Sequence, residues 1–238
     1  MTSDLSKKLS NWLRDSVNSG GGKGIVFGLS GGIDSTVTAY LCKEAFPDNS
    51  LGLIIPCHSN KVDIDDAKFV AKEIGLKYET VNLDKVYNLL LESFGQMRDD
   101  RDISLANIKP RLRMTTLYYY ANKMNYFVVG TGNKSELTLG YFTKYGDGGC
   151  DLLPLGNLTK RNVYSLAKSL KVSERIINKP PSAGLWKGQT DEGELGITYQ
   201  EIDNYIEGKT VSENVKAKIE DMIDKSEHKR IMPKIPDF

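Results

Sequence analysis

Four short apolar runs, each followed by a stretch with the period of a helix, constrain this chain more than any other feature. The runs cover residues 25–29, 51–55, 78–81 and 126–130. Three of them are nearly unbroken in Ile, Val, Leu and Phe, the pattern of strands buried on both faces. Helical spacing fills residues 35–46, 62–74, 84–94 and 110–124, and precedes the first run over 4–18 through Leu5, Leu9, Trp12, Leu13 and Val17. Such alternation predicts an α/β fold: a doubly wound parallel sheet with helices on both faces.

Past residue 130 the pattern changes. Residues 131–158 are glycine-rich and irregular, yet they keep Tyr, Phe and Leu. A long irregular stretch of that kind inside a compact domain is usually functional. Helices are predicted again at 159–170, 198–207 and 212–226, with a second loop over 179–197. The chain has no internal repeat and no low-complexity tract, and its 238 residues suffice for a sizeable core. One compact domain over 1–238 is expected.

Charge and cysteine content exclude several classes. Lys and Arg total 32 against 31 Asp and Glu, which argues against a mainly electrostatic nucleic-acid or membrane binder. No apolar run approaches the roughly 18 residues of a membrane span. The charged N-terminus is unlike a signal peptide. Cys42, Cys57 and Cys150 are too few and too scattered for a disulfide framework, and no paired Cys spacing suggests zinc. A cytoplasmic protein with reduced thiols is expected.

The sharpest local signal is Gly28-Leu29-Ser30-Gly31-Gly32-Ile33-Asp34-Ser35-Thr36, which ends a strand and opens a helix. Glycines there let backbone N–H groups approach an anion. The helix N-terminus adds partial positive charge, and Ser30, Ser35 and Thr36 add hydroxyls. Asp34 is out of place in a purely anionic cradle unless it holds Mg²⁺ beside phosphates. A Walker A loop is absent, because Gly22-Lys23 is followed by Gly24, and no dinucleotide GxGxxG follows the strand.

The segment Ser30-Gly31-Gly32-Ile33-Asp34-Ser35 resembles the pyrophosphate loop of the N-type ATP pyrophosphatases, with the adenine nucleotide alpha hydrolase-like fold. Within that superfamily the run Gly130-Thr131-Gly132-Asn133-Lys134-Ser135-Glu136, then residues 140–149 (GYFTKYGDGG) and Asp151-Leu152-Leu153-Pro154-Leu155, is similar to the NAD synthetase family. Residues 107–114 (NIKPRLRM), 194–199 (ELGITY) and His228-Lys229-Arg230 match as well. The resemblance spans roughly residues 5–235.

That resemblance implies a ligase. ATP adenylates the nicotinate carboxylate of deamido-NAD with release of pyrophosphate, and ammonia then displaces AMP to give NAD. It implies Asp34, Glu136 and Lys160 as catalytic residues, with Mg²⁺ on Asp34 and Glu136. ATP would be held by Gly28, Ser30, Gly31, Gly32, Ile33, Asp34, Ser35, Thr36, Thr131, Lys160 and Ser182. Deamido-NAD would be held by Arg111, Lys144, Asp151, His228 and Lys229. Arg111 and Arg113 lie two apart and do not share a helix face; the motif favours Arg111. Phe142 and Tyr145 are candidates either to stack on the nicotinate ring or to pack in the core. Asp147 and Asp151 are candidates to take a proton from ammonium.

The resemblance further implies a homodimer, and loops 141–157 and 182–194 closing with the 228–230 segment over the substrates. With 238 residues filled by these motifs, no glutaminase or amidase domain is expected, so free ammonia is the expected nitrogen donor. A tRNA thiolase or GMP synthetase of the same superfamily is a rival, disfavoured by the neutral charge and the absence of Cys-x-x-Cys. A nucleotide sensor without turnover is a second rival; it need not keep both Asp34 and Glu136.

Overall fold

The computed structural model describes residues 2–99, 101–186 and 188–238, without the side chains of Thr2 and Ser3. Lys187, within the second expected closing loop, lies outside the described residues. The first half runs α1 (Thr2–Ser19), β1 (Gly24–Gly28), α2 (Ile33–Ala45), β2 (Ser50–Ile54), α3 (Lys61–Glu73), β3 (Lys77–Thr80), α4 (Asp84–Ser93), α5 (Ile103–Ala106), α6 (Ile108–Met124) and β4 (Tyr126–Val129). The second half is α7 (Lys134–Leu139), α8 (Lys160–Ser169), α9 (Glu174–Ile177), α10 (Asp191–Leu195), α11 (Tyr199–Ile206) and α12 (Glu213–Ser226), closed by a 3₁₀ turn at Glu227–Lys229.

The strands form a parallel sheet in the order β3-β2-β1-β4. Alternate strand residues feed two cores. Ile25, Phe27, Ile54 and Val129 pack on the face that carries α1, α2, α3, α8 and α9. Val26, Leu51, Leu53 and Val128 pack on the face that carries α4, α5 and α6. All eight are buried, which is why the runs carry no polar alternation. A third, smaller core holds Leu139, Leu195, Ile197, Tyr199, Ile202 and Ile219, uniting α7 and α10–α12.

The predicted irregular region 131–158 contains a helix, α7, and the predicted loop 179–197 contains α10. Six and five residues are too short to display a helical period, so only their caps betray them. Asn133 caps α7 and Gly140 ends it in the left-handed conformation. The rest of 131–158 remains without strand or long helix, although residues 151–152 run beside β4. There Val128 O accepts from Asp151 N at 2.9 Å and Leu152 O accepts from Gly130 N at 2.8 Å.

Strand order decides where a ligand can sit. The chain winds from β1 outward through β2 to β3, then returns to place β4 on the other side of β1. Loops leaving the C-terminal ends of β1 and β4 therefore diverge, and a crevice opens between them. The register pairs Phe27 with Val129, so residues 29–33 and 130–133 leave the sheet side by side.

Candidate active site

The turn after β1 is shaped from within. Ser35 Oγ donates to Gly32 O at 3.0 Å and accepts from Ser30 N at 3.2 Å; the Ser30 and Ser35 hydroxyls lie 2.9 Å apart. Thr36, fully buried, also donates to Gly32 O, at 2.8 Å. These hydroxyls brace the turn. Gly32 is the N-cap of α2 and has no side chain with which to cap it, so the first-turn amides face the crevice. Gly31 has φ +77°, and a Cβ there would lie 2.7 Å from both Asp63 O and the Asp66 Cβ. Only glycine fits.

Asp34 sits in the first turn of α2, Glu136 in the first turn of α7 and Lys160 at the first position of α8. The fold brings the three together. Lys160 Nζ donates to Asp34 Oδ2 at 2.6 Å and to Glu136 Oε1 at 3.2 Å, with 3% of its side chain exposed. Asn133, fully buried, joins the two acids from the other side. Its amide donates to Asp34 Oδ1 at 2.8 Å, and its backbone N–H donates to Glu136 Oε2 at 3.1 Å in a reciprocal capping box. All four carboxylate oxygens of Asp34 and Glu136 therefore accept a hydrogen bond.

A second layer of acid lies behind them. Tyr199 OH is 2.9 Å from Asp191 Oδ2 and 3.3 Å from Glu136 Oε1. Tyr141 OH lies 2.7 Å from Glu194 Oε2 and 3.3 Å from Asp191 Oδ1. Lys160 Nζ sits 4.6 Å from the Tyr199 ring centre, a cation–π distance. Burial disfavours a charged Lys160, but Asp34 and Glu136 outweigh it and hold the ammonium above its ordinary pKa. Burial also raises the Asp191 carboxyl.

Burial pushes the Glu136 carboxyl from 4.5 up to about 7; Lys160 pulls the other way and Asp34 adds to the rise. The folded protein thus keeps a proton that the unfolded chain has lost. Its contribution to stability is full below 4.5 and is lost as pH rises through about 7. The ligand-free protein is expected to lose melting temperature between about pH 4.5 and 7, and Glu136→Gln to remove part of that slope. Thermal denaturation across pH checks this; identical slopes would refute it.

The remaining candidates fall in two groups. Arg111, Lys144, His228 and Lys229 gather at one edge. Arg111 Nε donates to Lys144 O at 3.4 Å, Lys144 Nζ donates to His228 O, and Lys229 Nζ donates to Gly140 O and Phe142 O at 2.7 and 2.8 Å. Burial lowers the Lys229 pKa. Arg113 points elsewhere, donating to Ile55 O at 3.1 Å beyond β2, as its spacing from Arg111 requires. Asp151 is not joined to that group: its carboxylate accepts from Val128 N at 2.8 Å and Tyr118 OH at 2.9 Å. Ser182 is exposed, and its hydroxyl accepts from Gly184 N within its own loop at 3.1 Å. Tyr145 is exposed with φ +60°, whereas Phe142 lies under Lys229.

Thr131, Glu136, Phe142 and Asp147 line a cavity of about 50 Å³ between the loop after β4 and residues 142–148. Burial raises the Asp147 carboxyl against the Thr143 N–H that it accepts at 2.9 Å. Sequence reasoning missed Asn133, Asp191 and Tyr199. Asn133 carried a signal, since Asn followed three residues later by Glu is a capping-box pattern. Tyr199 ended the matching run 194–199 without an assigned role, and Asp191 carried no signal, because both reach the site only through the packing of α10 and α11.

A glycine turn and a lysine-bridged acid pair at the switch point of a parallel sheet define a nucleotide-binding α/β protein of the adenine nucleotide alpha hydrolase-like fold. The family profile described as NAD synthase matches residues 5–233. An NH(3)-dependent NAD(+) synthetase of Carboxydothermus hydrogenoformans is 52% identical over 235 residues, 98% of this chain and 97% of that protein. The chain belongs to the NAD synthase family. Among solved structures, an NMN synthetase from Francisella tularensis superimposes with TM-score 0.95 at 41% identity, covering 100% of this chain and 99% of that one. An NH3-dependent NAD synthetase from Campylobacter jejuni, in complex with nitrate, gives 0.83 at 31% identity, with the same coverage.

Proposed function

We propose that this protein is an ammonia-dependent NAD synthetase. A nicotinate carboxylate oxygen of deamido-NAD attacks the α-phosphorus of ATP, the α–β anhydride bond breaks, and pyrophosphate leaves. Ammonia then adds to the acyl carbon, the bond to AMP breaks, one proton is lost, and the amide of NAD results. The observation that carries this reading is the meeting of Asp34, Glu136 and Lys160 beside the glycine turn in a chain of this family.

Residues 30–36 hold the ATP phosphates on backbone amides. Thr131 and Ser182 hold other parts of ATP. Arg111, Lys144, Asp151, His228 and Lys229 hold deamido-NAD. Asp34 and Glu136 fit Mg²⁺, which takes one or two carboxylates and completes its shell with phosphate oxygens and water. The donor chemistry agrees: Asp34 and Glu136 share a single ammonium, with Asp191 in the layer behind them, and burial followed by the nearby acids makes Glu136 hard to ionise. Bound there, the ion would neutralise charge on departing pyrophosphate. Lys160 would then move from the carboxylates to phosphate oxygen.

Asp147 supports a place for ammonia. The cavity it lines suits a molecule the size of water or ammonia. Asp151, held by Val128 N and Tyr118 OH, does not line that cavity.

Incubation with ATP, Mg²⁺, ammonium and deamido-NAD should yield NAD, AMP and pyrophosphate. No NAD and no pyrophosphate would overturn the reading. The likeness to an NMN synthetase favours a second acceptor, nicotinate mononucleotide, with the same bond changes. Comparing kcat/KM for the two acceptors decides between them.

A single domain over 1–238 acting as a homodimer in the cytoplasm completes the reading. Val86, Leu89, Phe94, Met97, Ile103 and Tyr119, on and around α4–α6, are large exposed apolar groups that support a self-association face. The three cysteines are free, which suits a reducing compartment. No helix among the described residues is long and apolar enough to cross a membrane. Light scattering should give the mass of a dimer, and Leu89→Asp, 63% exposed in the monomer, should halve that mass without lowering the melting temperature of the monomer. A wild-type monomer would remove the dimer.

A further inference from the structure

We propose that Lys179 is a positioning residue for the phosphate-binding turn, tying that turn to the loop that carries Ser182. The proposal rests on the synthetase reading, because it assigns the turn to ATP phosphates.

Lys179 begins the loop between α9 and α10. Its ammonium lies 2.6 Å from Asp63 Oδ1 and 2.8 Å from Asp66 Oδ2, both on α3, and 3.5 Å from Gly31 O on the turn. Arg175 of α9 takes the other Asp66 oxygen at 2.6 Å. Two cations and two carboxylates thus close a local charge balance around an Asp66 side chain that is 3% exposed. The turn rests on the same surface: Gly31 packs so closely on Asp63 and Asp66 that a Cβ there would clash. The Gly31 carbonyl is therefore held from below by Lys179 while the turn's amides face the crevice.

The loop beyond Lys179 is held at two more points. Pro181 O accepts from Asp191 N at 3.1 Å, next to the acid layer behind Glu136. Leu185 O accepts from Lys109 Nζ at 2.6 Å, and Lys109 is fully buried in the first turn of α6. Ser182 thus follows two anchors, Lys179 at the turn and Pro181 at the acid cluster, and precedes a third, Leu185 on Lys109. Lys179 is the first of these, and nothing in its geometry directs it at a substrate atom.

Removing the lysine leaves the buried Asp66 with one cation and leaves the Gly31 carbonyl unsupported. Loss of a charged hydrogen bond of this kind corresponds to about a tenfold or larger change in an equilibrium constant. The effect should be confined to ligands that use the turn. Calorimetry on the whole protein should show Lys179→Met losing about tenfold in affinity for ATP and for pyrophosphate while AMP binds within about twofold of wild type. Lys179→Arg, which keeps a cation between the same carboxylates, should recover most of the loss. Should Lys179→Met not fold, Asp66→Asn tests the same link and should show the same selective loss. Equal losses for ATP and AMP, or no loss for any ligand, would overturn the positioning role. A wild-type protein that binds no ATP would overturn the synthetase reading itself.

Discussion

Lys160→Met should lower turnover about 1,000-fold and at the same time raise the affinity of the nucleotide-free protein for a divalent cation. The two effects have one cause. In the ligand-free site the ammonium is the cation of the acid pair, 2.6 Å from Asp34 and 3.2 Å from Glu136. An incoming divalent ion needs oxygens that Lys160 already occupies. On the synthetase reading, the phosphate of ATP would offer Lys160 a new partner. Cation and nucleotide should then bind the wild type together, and free cation should bind it weakly. Methionine keeps the length of the stem and removes the charge, so the carboxylates lose their resident partner. Glu136 then gains a stronger hold on its proton, and cation binding should release it, so the gain should grow with pH. Mn²⁺ binding followed by electron paramagnetic resonance, without ATP, checks the second effect. Unchanged Mn²⁺ affinity in the variant would refute competition.

Asp34→Asn should cost about as much in kcat/KM, on the order of 1,000-fold, with the KM for deamido-NAD little changed. The substitution is nearly isosteric, but its chemistry is wrong at both oxygens. One accepts from the Asn133 amide at 2.8 Å and the other from Lys160. An asparagine amide must place an N–H against one of these donors, leaving a buried donor unmatched. It also removes one of the two carboxylates available to a divalent ion. Initial rates of pyrophosphate release, varied separately in ATP and deamido-NAD, measure the effect. Activity close to wild type would remove Asp34 from the chemistry.

Much of the scaffold was legible because its signals are local. The unbroken apolar run at 25–29 forecast a doubly buried strand, and Ile25 and Phe27 do pack on one core while Val26 packs on the other. The glycine turn forecast its own contents, since Gly31 requires φ > 0 and Asp34 follows within the first helical turn. The two arginines two residues apart forecast two directions, and Arg111 and Arg113 take them. Short helices escaped because α7 and α10 are shorter than the window that reveals a period. The partners escaped for a different reason. Lys160 and Asp34 are 126 residues apart, and Lys179 and Asp66 are 113 apart. Periodicity states which face of an element is apolar and is silent on which polar group meets which across the fold.

The sequence by itself determined the class of fold and the glycine turn between strand and helix, and it named the candidate residues for chemistry. These follow from side-chain sterics, glycine φ and the period of burial, which act over a few residues. Only the tertiary structure decided that a lysine stands in the acid pair, that Asn133 joins its two members, and that Asp191 and Tyr199 back it. Those are long-range electrostatic choices. A buried carboxylate takes whichever donor the packing of distant helices delivers: the crossing of β4 beside β1 brought Asn133 and Glu136 to Asp34, and the packing of α8 on α2 delivered Lys160.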